Sequence, residues 1–250
     1  MNQTDVGSSA LTIDRVSHCR QGHLVLDQIS HAFAGGLIHA VIGPNGAGKT
    51  SLLRLLGLLE KPGQGRVLFR DQDTTSLWPH CLDLRRRLGF LHQNPLLFQG
   101  TVFDNLAVGL KYRRVPRRER HLRVTEVLAA FGLTHLARRS ATHLSGGEAQ
   151  KVALARIMVF DPEALLLDEP TANLGPHNTF EFEQLIADIH GQQGKTIILV
   201  THDLGQAERL SQQTLFLHRG RLVESGSTSQ VLQHPQNDAT RLFLNRGLVV

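Results

Sequence analysis

The sequence predicts an α/β fold with a mainly parallel sheet and an inserted helical lobe. Three observations lead there. Short continuous apolar runs alternate with stretches of helical periodicity, and such runs suit strands covered on both faces. The run 37–42 stops at a glycine-rich turn, and leucines at helical spacing follow it. From about residue 94 to 160 the patterns are helical, with no clear strand between them.

In chain order, residues 37–42 read as a buried strand ending at Gly43, with 49–59 as the helix behind it. Residues 66–69 form a short strand after the Pro62-Gly63 turn, and 88–91 form another. Helices are predicted over 102–110, 119–131 and 147–160. Val124, Val127, Leu128 and Phe131 give the middle one an apolar stripe. Runs 164–167 and 196–200 are further core strands. A helix follows Asp203, then a hairpin of 215–218 and 221–224 around Arg219-Gly220, then a polar helical tail. The expected organisation is one domain over 1–250, with a core of 10–93 and 161–250 and the helical lobe inserted at about 94–160.

Composition bounds the class. The chain has 250 residues, 41% hydrophobic and 20% charged, an ordinary globular mix that argues against disorder. No apolar run approaches the ~20 residues needed to span a bilayer, so a channel or permease is excluded for this chain alone. Cys19 and Cys81 are the only cysteines, which excludes a disulfide scaffold and fits a reducing compartment. Residues 1–10 are polar and carry Asp5; they read as a frayed tail rather than a signal peptide, and the chain as cytosolic. The formal charge of +5 favours anionic partners without choosing among them.

The strongest motif is Gly43-Pro44-Asn45-Gly46-Ala47-Gly48-Lys49-Thr50, followed by Ser51. It sits between a predicted strand and a predicted helix, where a phosphate-binding loop belongs. Its glycines let backbone N–H groups approach phosphate oxygens, and the helix start adds a positive dipole end. Lys49 is placed to bridge the β- and γ-phosphates and Thr50 to coordinate Mg²⁺. Asp168 and Glu169 follow the run 164–167. A carboxylate at a buried strand end can hold Mg²⁺ through its waters, and the next one can polarise an attacking water. Gln93 follows the strand 88–91 and can reach Mg²⁺ and that water. His202 follows the strand 196–200 and can contact the γ-phosphate.

A second anion-binding device lies elsewhere. Leu144-Ser145-Gly146-Gly147-Glu148 runs into a helix from Ala149, and two glycines beside a serine at a helix start can receive phosphate. The same residues also suit a plain helix cap. Two phosphate-binding devices on separate lobes suggest a two-fold dimer, each signature facing the partner's phosphate loop.

With these residues in hand, the chain resembles the nucleotide-binding subunits of ABC transporters over roughly residues 11–225. The phosphate loop 43–50, Gln93, the signature 144–148, Asp168 with Glu169, and His202 occur in that family's order. The resemblance implies a P-loop NTPase core with an N-terminal antiparallel β portion. It implies an ATPase that takes ATP and Mg²⁺, with Glu169 as catalytic base, His202 on the γ-phosphate, and Gln93 linking the site to the helical lobe. Its implied partners are a second copy in a head-to-tail dimer holding two ATP, an integral membrane permease, and indirectly a substrate-binding protein. Nucleic acid is not among them. The chain would lie on the cytoplasmic face of the membrane, and a groove near residues 93–101 would receive the permease's coupling helix.

Two departures from the family pattern matter. Where the family usually stacks an aromatic on adenine, this chain has Arg20, with His18 or His23 as substitutes; a guanidinium can stack as well. Gly175 stands where the family has Asp, which bears on coupling between the two sites. The signature's Glu148, where Gln is commoner, is a frequent variant. In substrate class, residues 144–151, 201–207 and 216–224 look most similar to tungstate importer subunits, with phosphate and polar amino-acid importers next. A soluble assembly ATPase of the same fold is the alternative of a different class. A chromosome-organising ATPase would need long coiled coils, for which ~65 lobe residues leave no room. A kinase or GTPase would not account for the signature. The basic stretch Lys111, Arg113, Arg114, Arg117, Arg118 and Arg120 reads as a solvated face, with anionic headgroups or acidic permease loops as the functional alternative.

Overall fold

In a computed structural model of the chain, residues 9–247 are described; most of the predicted N-terminal tail lies outside that range. The chain runs β1 (Ser9–Arg20), β2 (His23–Ala34), β3 (Ile38–Ile42), α1 (Lys49–Leu56), β4 (Gln64–Phe69), β5 (Gln72–Asp73), α2 (Leu82–Arg85) and β6 (Leu88–Leu91). Then come α3 (Val102–Tyr112), α4 (Arg117–Ala130), α5 (Gly146–Met158), β7 (Ala164–Asp168), α6 (Pro176–Gln193), β8 (Thr196–Val200), α7 (Leu204–Leu210), β9 (Gln213–His218), β10 (Arg221–Ser227), α8 (Thr228–Gln233) and α9 (Asp238–Gly247).

Two sheets form. Strands β2-β1-β4-β5 pair antiparallel at the N-terminal side. The larger sheet has the order β10-β9-β3-β8-β7-β6, parallel throughout except for the β9–β10 hairpin. Every residue of β3, β7 and β8 is buried, as continuous apolar runs require when both faces are covered. One face packs on α1 and the antiparallel sheet through Leu52, Leu56, Ile13 and Phe33. The other packs on α5 and α6 through Leu154, Phe182 and Ile186. Helices α3, α4 and α5 gather around an apolar cluster of their own, with Leu106, Val124, Leu128 and Val152 at its centre.

The basic stretch is partly built into this helical region. Arg113 lies over the Phe160 ring at 4.0 Å, and Arg120 donates to the Val115 carbonyl. Arg113 thus packs on Phe160, just past α5, and Arg120 on the turn joining α3 to α4, as long cationic stems often do.

Parallel pairing decides where chemistry can sit. Leu91 lies opposite Leu167, Asp168 opposite Val200, and Val200 opposite Val41. The carboxyl ends of β6, β7, β8 and β3 therefore share one edge, the usual place for ligands on such a sheet.

A histidine pair sits between the two sheets, His31 on β2 and His39 on β3. His31 packs edge-on against Phe33, with ring centroids 4.7 Å apart, and faces His39 at 6.4 Å. Burial, assisted by His39, pushes the His31 pKa down to about 4; burial also lowers that of His39. Both folded values lie below the unfolded one, so acid protonates the unfolded chain first. Stability is full above about pH 6.5 and falls as pH drops toward 4, by up to about 3 kcal/mol for His31. Urea midpoints at pH 7.5 and 4.5 measure this drop. The variant His31→Gln is expected to be less acid-labile; an unchanged slope would remove His31 as its source.

Candidate nucleotide-binding and hydrolysis site

The phosphate loop leaves β3 at Gly43 and enters α1 at Lys49. Two of its glycines are required by geometry. A Cβ on Gly43 would lie 2.1 Å from the Leu217 carbonyl oxygen, and Gly48 caps α1 with φ of 100°. Lys49 is buried, and its Nζ donates to the carbonyls of Gly43 at 2.8 Å and Pro44 at 3.1 Å. Burial lowers its pKa, opposed by the charges of Glu169 and Asp168. Ser51 is buried in the first turn of α1, while Asn45, Gly46 and Thr50 face solvent.

Thr50 Oγ1 donates to Asp168 Oδ1 at 3.1 Å, joining the start of α1 to the end of β7. Burial raises the Asp168 pKa above its ordinary value; the Thr50 hydrogen bond opposes this and the Glu169 charge adds to it. A hydroxyl beside a desolvated carboxylate is a hard oxygen pair that suits Mg²⁺ alongside phosphate oxygens and water. Among the described residues, no group of three His, Cys, Asp or Glu could hold a metal.

Glu169 is the meeting point of the strand-end residues. Gln93 Nε2 lies 3.4 Å and His202 Nδ1 3.2 Å from Glu169 Oε2. The Glu169 carboxylate is largely shielded, whereas the His202 side chain is 59% exposed and so accessible to an incoming phosphate. The Glu169 backbone has φ of 44°, a left-handed value rare for residues other than glycine. Its N–H donates to the Val200 carbonyl, and its carbonyl accepts from Ala172.

The signature segment forms a capping box at the start of α5. Ser145 Oγ accepts from the Glu148 N–H, and Glu148 Oε2 accepts from the Ser145 N–H at 2.7 Å. Glu148 also pairs with Arg139 at 3.3 Å. The helix-cap reading therefore holds for Ser145 and Glu148, while Gly146 stays exposed at the helix start. Gly147 is buried against Asn178 of α6. No hydrogen bond joins residues 144–148 to the phosphate loop among the described residues. The strand-end residues come together within this chain, and the signature stands apart from them.

Of the residues expected to contact adenine, Arg20 lies exposed at the end of β1, opposite His23. His18 is taken up elsewhere: its Nε2 lies 3.1 Å from Glu60, which also binds Arg54 at 2.6 Å. Of the three residues considered for stacking, Arg20 and His23 are the exposed ones.

Sequence reasoning passed over a polar network behind Glu169. Gln206 Nε2 donates to Thr171 Oγ1 at 2.8 Å and Glu183 Oε1 at 3.1 Å, and Arg209 grips Glu183 with two N–H groups. Asn173 donates to Asn94 at 2.7 Å, tying the loop after Gln93 to the turn after Glu169. The one available signal was position, since Thr171, Asn173, Asn94 and Gln206 lie within a few places of a recognised motif, whereas Glu183 carries no such mark.

Gly175 is the N-cap of α6 and carries no side-chain cap. Its φ of −71° and ψ of 164° suit any residue, and a Cβ there would meet nothing within 4 Å. Gly175→Asp is expected to fit without strain and stabilise by about 0.5–1 kcal/mol, through a capping bond and a stiffer unfolded chain. At this chain length that corresponds to about 1–4 °C in Tm. A melting scan checks it, and an unchanged or lower Tm refutes it. Cooperativity in ATP should change more than nucleotide affinity; an unchanged Hill coefficient would make the departure silent.

Comparison with known proteins fits this geometry. The family model described as "ABC transporter" matches residues 26–172. The chain is 39% identical to a phosphate import ATP-binding protein, PstB 2, of Natronomonas pharaonis, over 96% of this chain and 87% of that one. It is 36% identical to the methionine import ATP-binding protein MetN of Latilactobacillus sakei, over 92% of this chain and 68% of that one. Among solved structures, it superposes on cbiO1 from Clostridium perfringens, part of the ABC transporter complex cbiONQ. The TM-score is 0.85 and the identity 28%, covering 97% of this chain and 99% of that one. It also superposes on the dimeric ATP-binding cassette MJ0796 in a post-hydrolysis state with ADP and Pi. There the TM-score is 0.77 and the identity 28%, covering 87% and 98%. The chain belongs to the ABC transporter family, as one of its ATP-hydrolysing cassettes.

Proposed function

We propose that this chain is the ATP-hydrolysing subunit of an ABC importer, working as a two-fold dimer on a separate membrane permease. The observation that carries the reading is the convergence of Gln93 and His202 on one oxygen of Glu169, beside the Thr50–Asp168 pair and Lys49. Glu169 is the base that polarises the attacking water, in a position shielded enough to sharpen its electrostatics. His202, exposed beside it, orients the γ-phosphate. Lys49 turns from the loop carbonyls to the β- and γ-phosphates. Thr50 and Asp168, with Gln93, are the residues that would hold Mg²⁺, whose charge would offset that of the phosphate oxygens. Gly46 and Gly48 offer backbone N–H groups to the phosphates, and Arg20 offers its guanidinium plane to adenine. Ser145, Gly146 and Gly147 of the partner copy complete each site. The dimeric cassette among the structural relatives supports that arrangement.

A groove of about 480 Å³ runs from Phe90 and His92 past Gln93 and Pro95 to Arg156 and Ile157. Leu96 and Phe98 stand 86% and 57% exposed at its side. We take this as the seat of the permease's coupling helix, on the cytoplasmic face of the membrane. No helix among the described residues is long and apolar enough to cross a membrane, so a permease would be a separate partner.

The transported substrate is a small oxyanion in this reading. The phosphate-import relative supports that class, and the methionine-import relatives support an amino acid, there one with an apolar side chain, as the second reading. Tungstate rests on the motif resemblance of residues 144–151, 201–207 and 216–224 alone. Capture of the tagged chain from native membranes in mild detergent, followed by mass spectrometry, tests the proposal. Recovery of a polytopic membrane protein is expected; its binding-protein neighbour can then be titrated with phosphate, tungstate, molybdate and methionine. A soluble scaffold recovered with no membrane protein would overturn the importer reading in favour of an assembly ATPase.

A further inference from the structure

The left-handed backbone of Glu169 must be held by its surroundings, because such a conformation is disfavoured for a non-glycine residue. Backbone bonds hold it in part: Glu169 to Val200, Ala172 to Glu169 and Leu174 to Thr171. The side chain of Thr171 adds a tie to a different element. Its Oγ1 accepts from Nε2 of Gln206, which lies on α7 and is fully buried.

Gln206 also touches the loop carrying His202. Its N–H donates to Asp203 Oδ1 at 3.0 Å, and the Asp203 N–H donates to Thr201 Oγ1 at 3.0 Å. One residue therefore contacts both the segment following Glu169 and the segment bearing His202. Its amide orientation is fixed from behind. Nε2 donates to Glu183, whose carboxylate is 4% exposed and takes two bonds from Arg209. A carboxylate of this kind accepts only, so the amide nitrogen must face it. The amide oxygen is left buried without a partner among the described residues. An aliphatic side chain would fill the same space without that orphan oxygen, so packing alone does not account for an amide here.

We propose that Gln206 is a positioning residue for hydrolysis: through the Thr171 hydroxyl it pins the turn that holds Glu169, and ties that turn to the His202 loop. This rests on the reading of Glu169 as the base. The least invasive test removes only the hydroxyl. Thr171→Val keeps the side-chain volume and deletes the acceptor, whereas Thr171→Ser keeps it.

Two readouts are taken on the full chain: steady-state ATP hydrolysis, and hydrogen exchange of the segment 169–174. Thr171→Val is expected to lower kcat about tenfold at a KM for ATP within about twofold of wild type, and to speed exchange about tenfold. These magnitudes correspond to loss of one buried hydrogen bond. Thr171→Ser is expected to restore both, and Gln206→Leu to reproduce the Thr171→Val pattern. Wild-type turnover in Thr171→Val overturns the proposal even if exchange quickens, because the hydroxyl then serves stability only. Equal loss in Thr171→Ser overturns it as well. The base reading fails separately, by normal turnover in Glu169→Gln, and exchange in Thr171→Val still reports whether the pin exists.

Discussion

Glu169→Gln is expected to cut ATP turnover by about 10²- to 10³-fold while leaving ATP binding intact, which is the range a positioned general base commands. The substitution keeps the shape of the side chain and removes its charge and basicity. Oε2 of Glu169 is where Gln93 and His202 converge, so a glutamine can keep both neighbours in place. Lys49, Thr50 and the loop glycines are untouched, and with them the phosphate contacts. Loss of one negative charge facing the phosphates also lowers repulsion in the closed state. The variant should therefore accumulate as an ATP-bound dimer. Phosphate release under saturating ATP and size-exclusion chromatography with and without ATP measure both effects. A variant that stays monomeric with ATP and hydrolyses at the wild-type rate would show that Glu169 is not the base.

The parts of the site visible in the sequence share a physical cause. Strands β3, β7 and β8 are covered on both faces, so each reads as an unbroken apolar run. The polar residue ending such a run stands out, and parallel pairing then brings Gly43, Asp168 and His202 to one edge. Where a segment is only half buried or irregular, that contrast is lost. Helix α6 is mostly polar, with Phe182, Glu183, Ile186 and Ile189 as its buried residues, and no element was expected over its span. Strands β1 and β2 are long, but positive φ at Arg15 and Gln28 interrupts their alternation. The Thr171–Gln206–Glu183 network joins residues from three separate elements, none of them marked by spacing. The sequence left the expected adenine contact among Arg20, His18 and His23, and nothing in it marks the His18–Glu60 contact seen in the fold. The helix-cap reading of the signature is met by Ser145 and Glu148, while Gly146 lies exposed at the same helix start.

Lys49→Ala is expected to weaken ATP binding by about 10²- to 10³-fold, the equivalent of losing one or two charge-assisted hydrogen bonds to phosphate. The surroundings of Lys49 are the reason to expect the loss on binding rather than on the fold. Lys49 Nζ is held by the carbonyls of Gly43 and Pro44, without a carboxylate in hydrogen-bond contact among the described residues. Burial disfavours its charge, and the nearby Asp168 and Glu169 only partly offset that. A buried cation hydrogen-bonded to carbonyls and only partly offset by nearby carboxylates contributes little to stability, but it is well placed for an anion arriving at the loop. Alanine removes the desolvated charge together with the hydrogen bonds, so the protein without nucleotide should melt close to wild type. The thermal shift caused by ATP should behave differently. A ligand at a hundred times its Kd stabilises by about 2.7 kcal/mol, and most of this gain should vanish in Lys49→Ala at the same ATP concentration. Calorimetric titration and melting scans with and without ATP separate the two effects. Wild-type affinity with a full ATP-induced shift would remove Lys49 from the site. A collapse of Tm without ATP would instead show that the lysine holds the loop together, and that its two carbonyl bonds matter more than its charge.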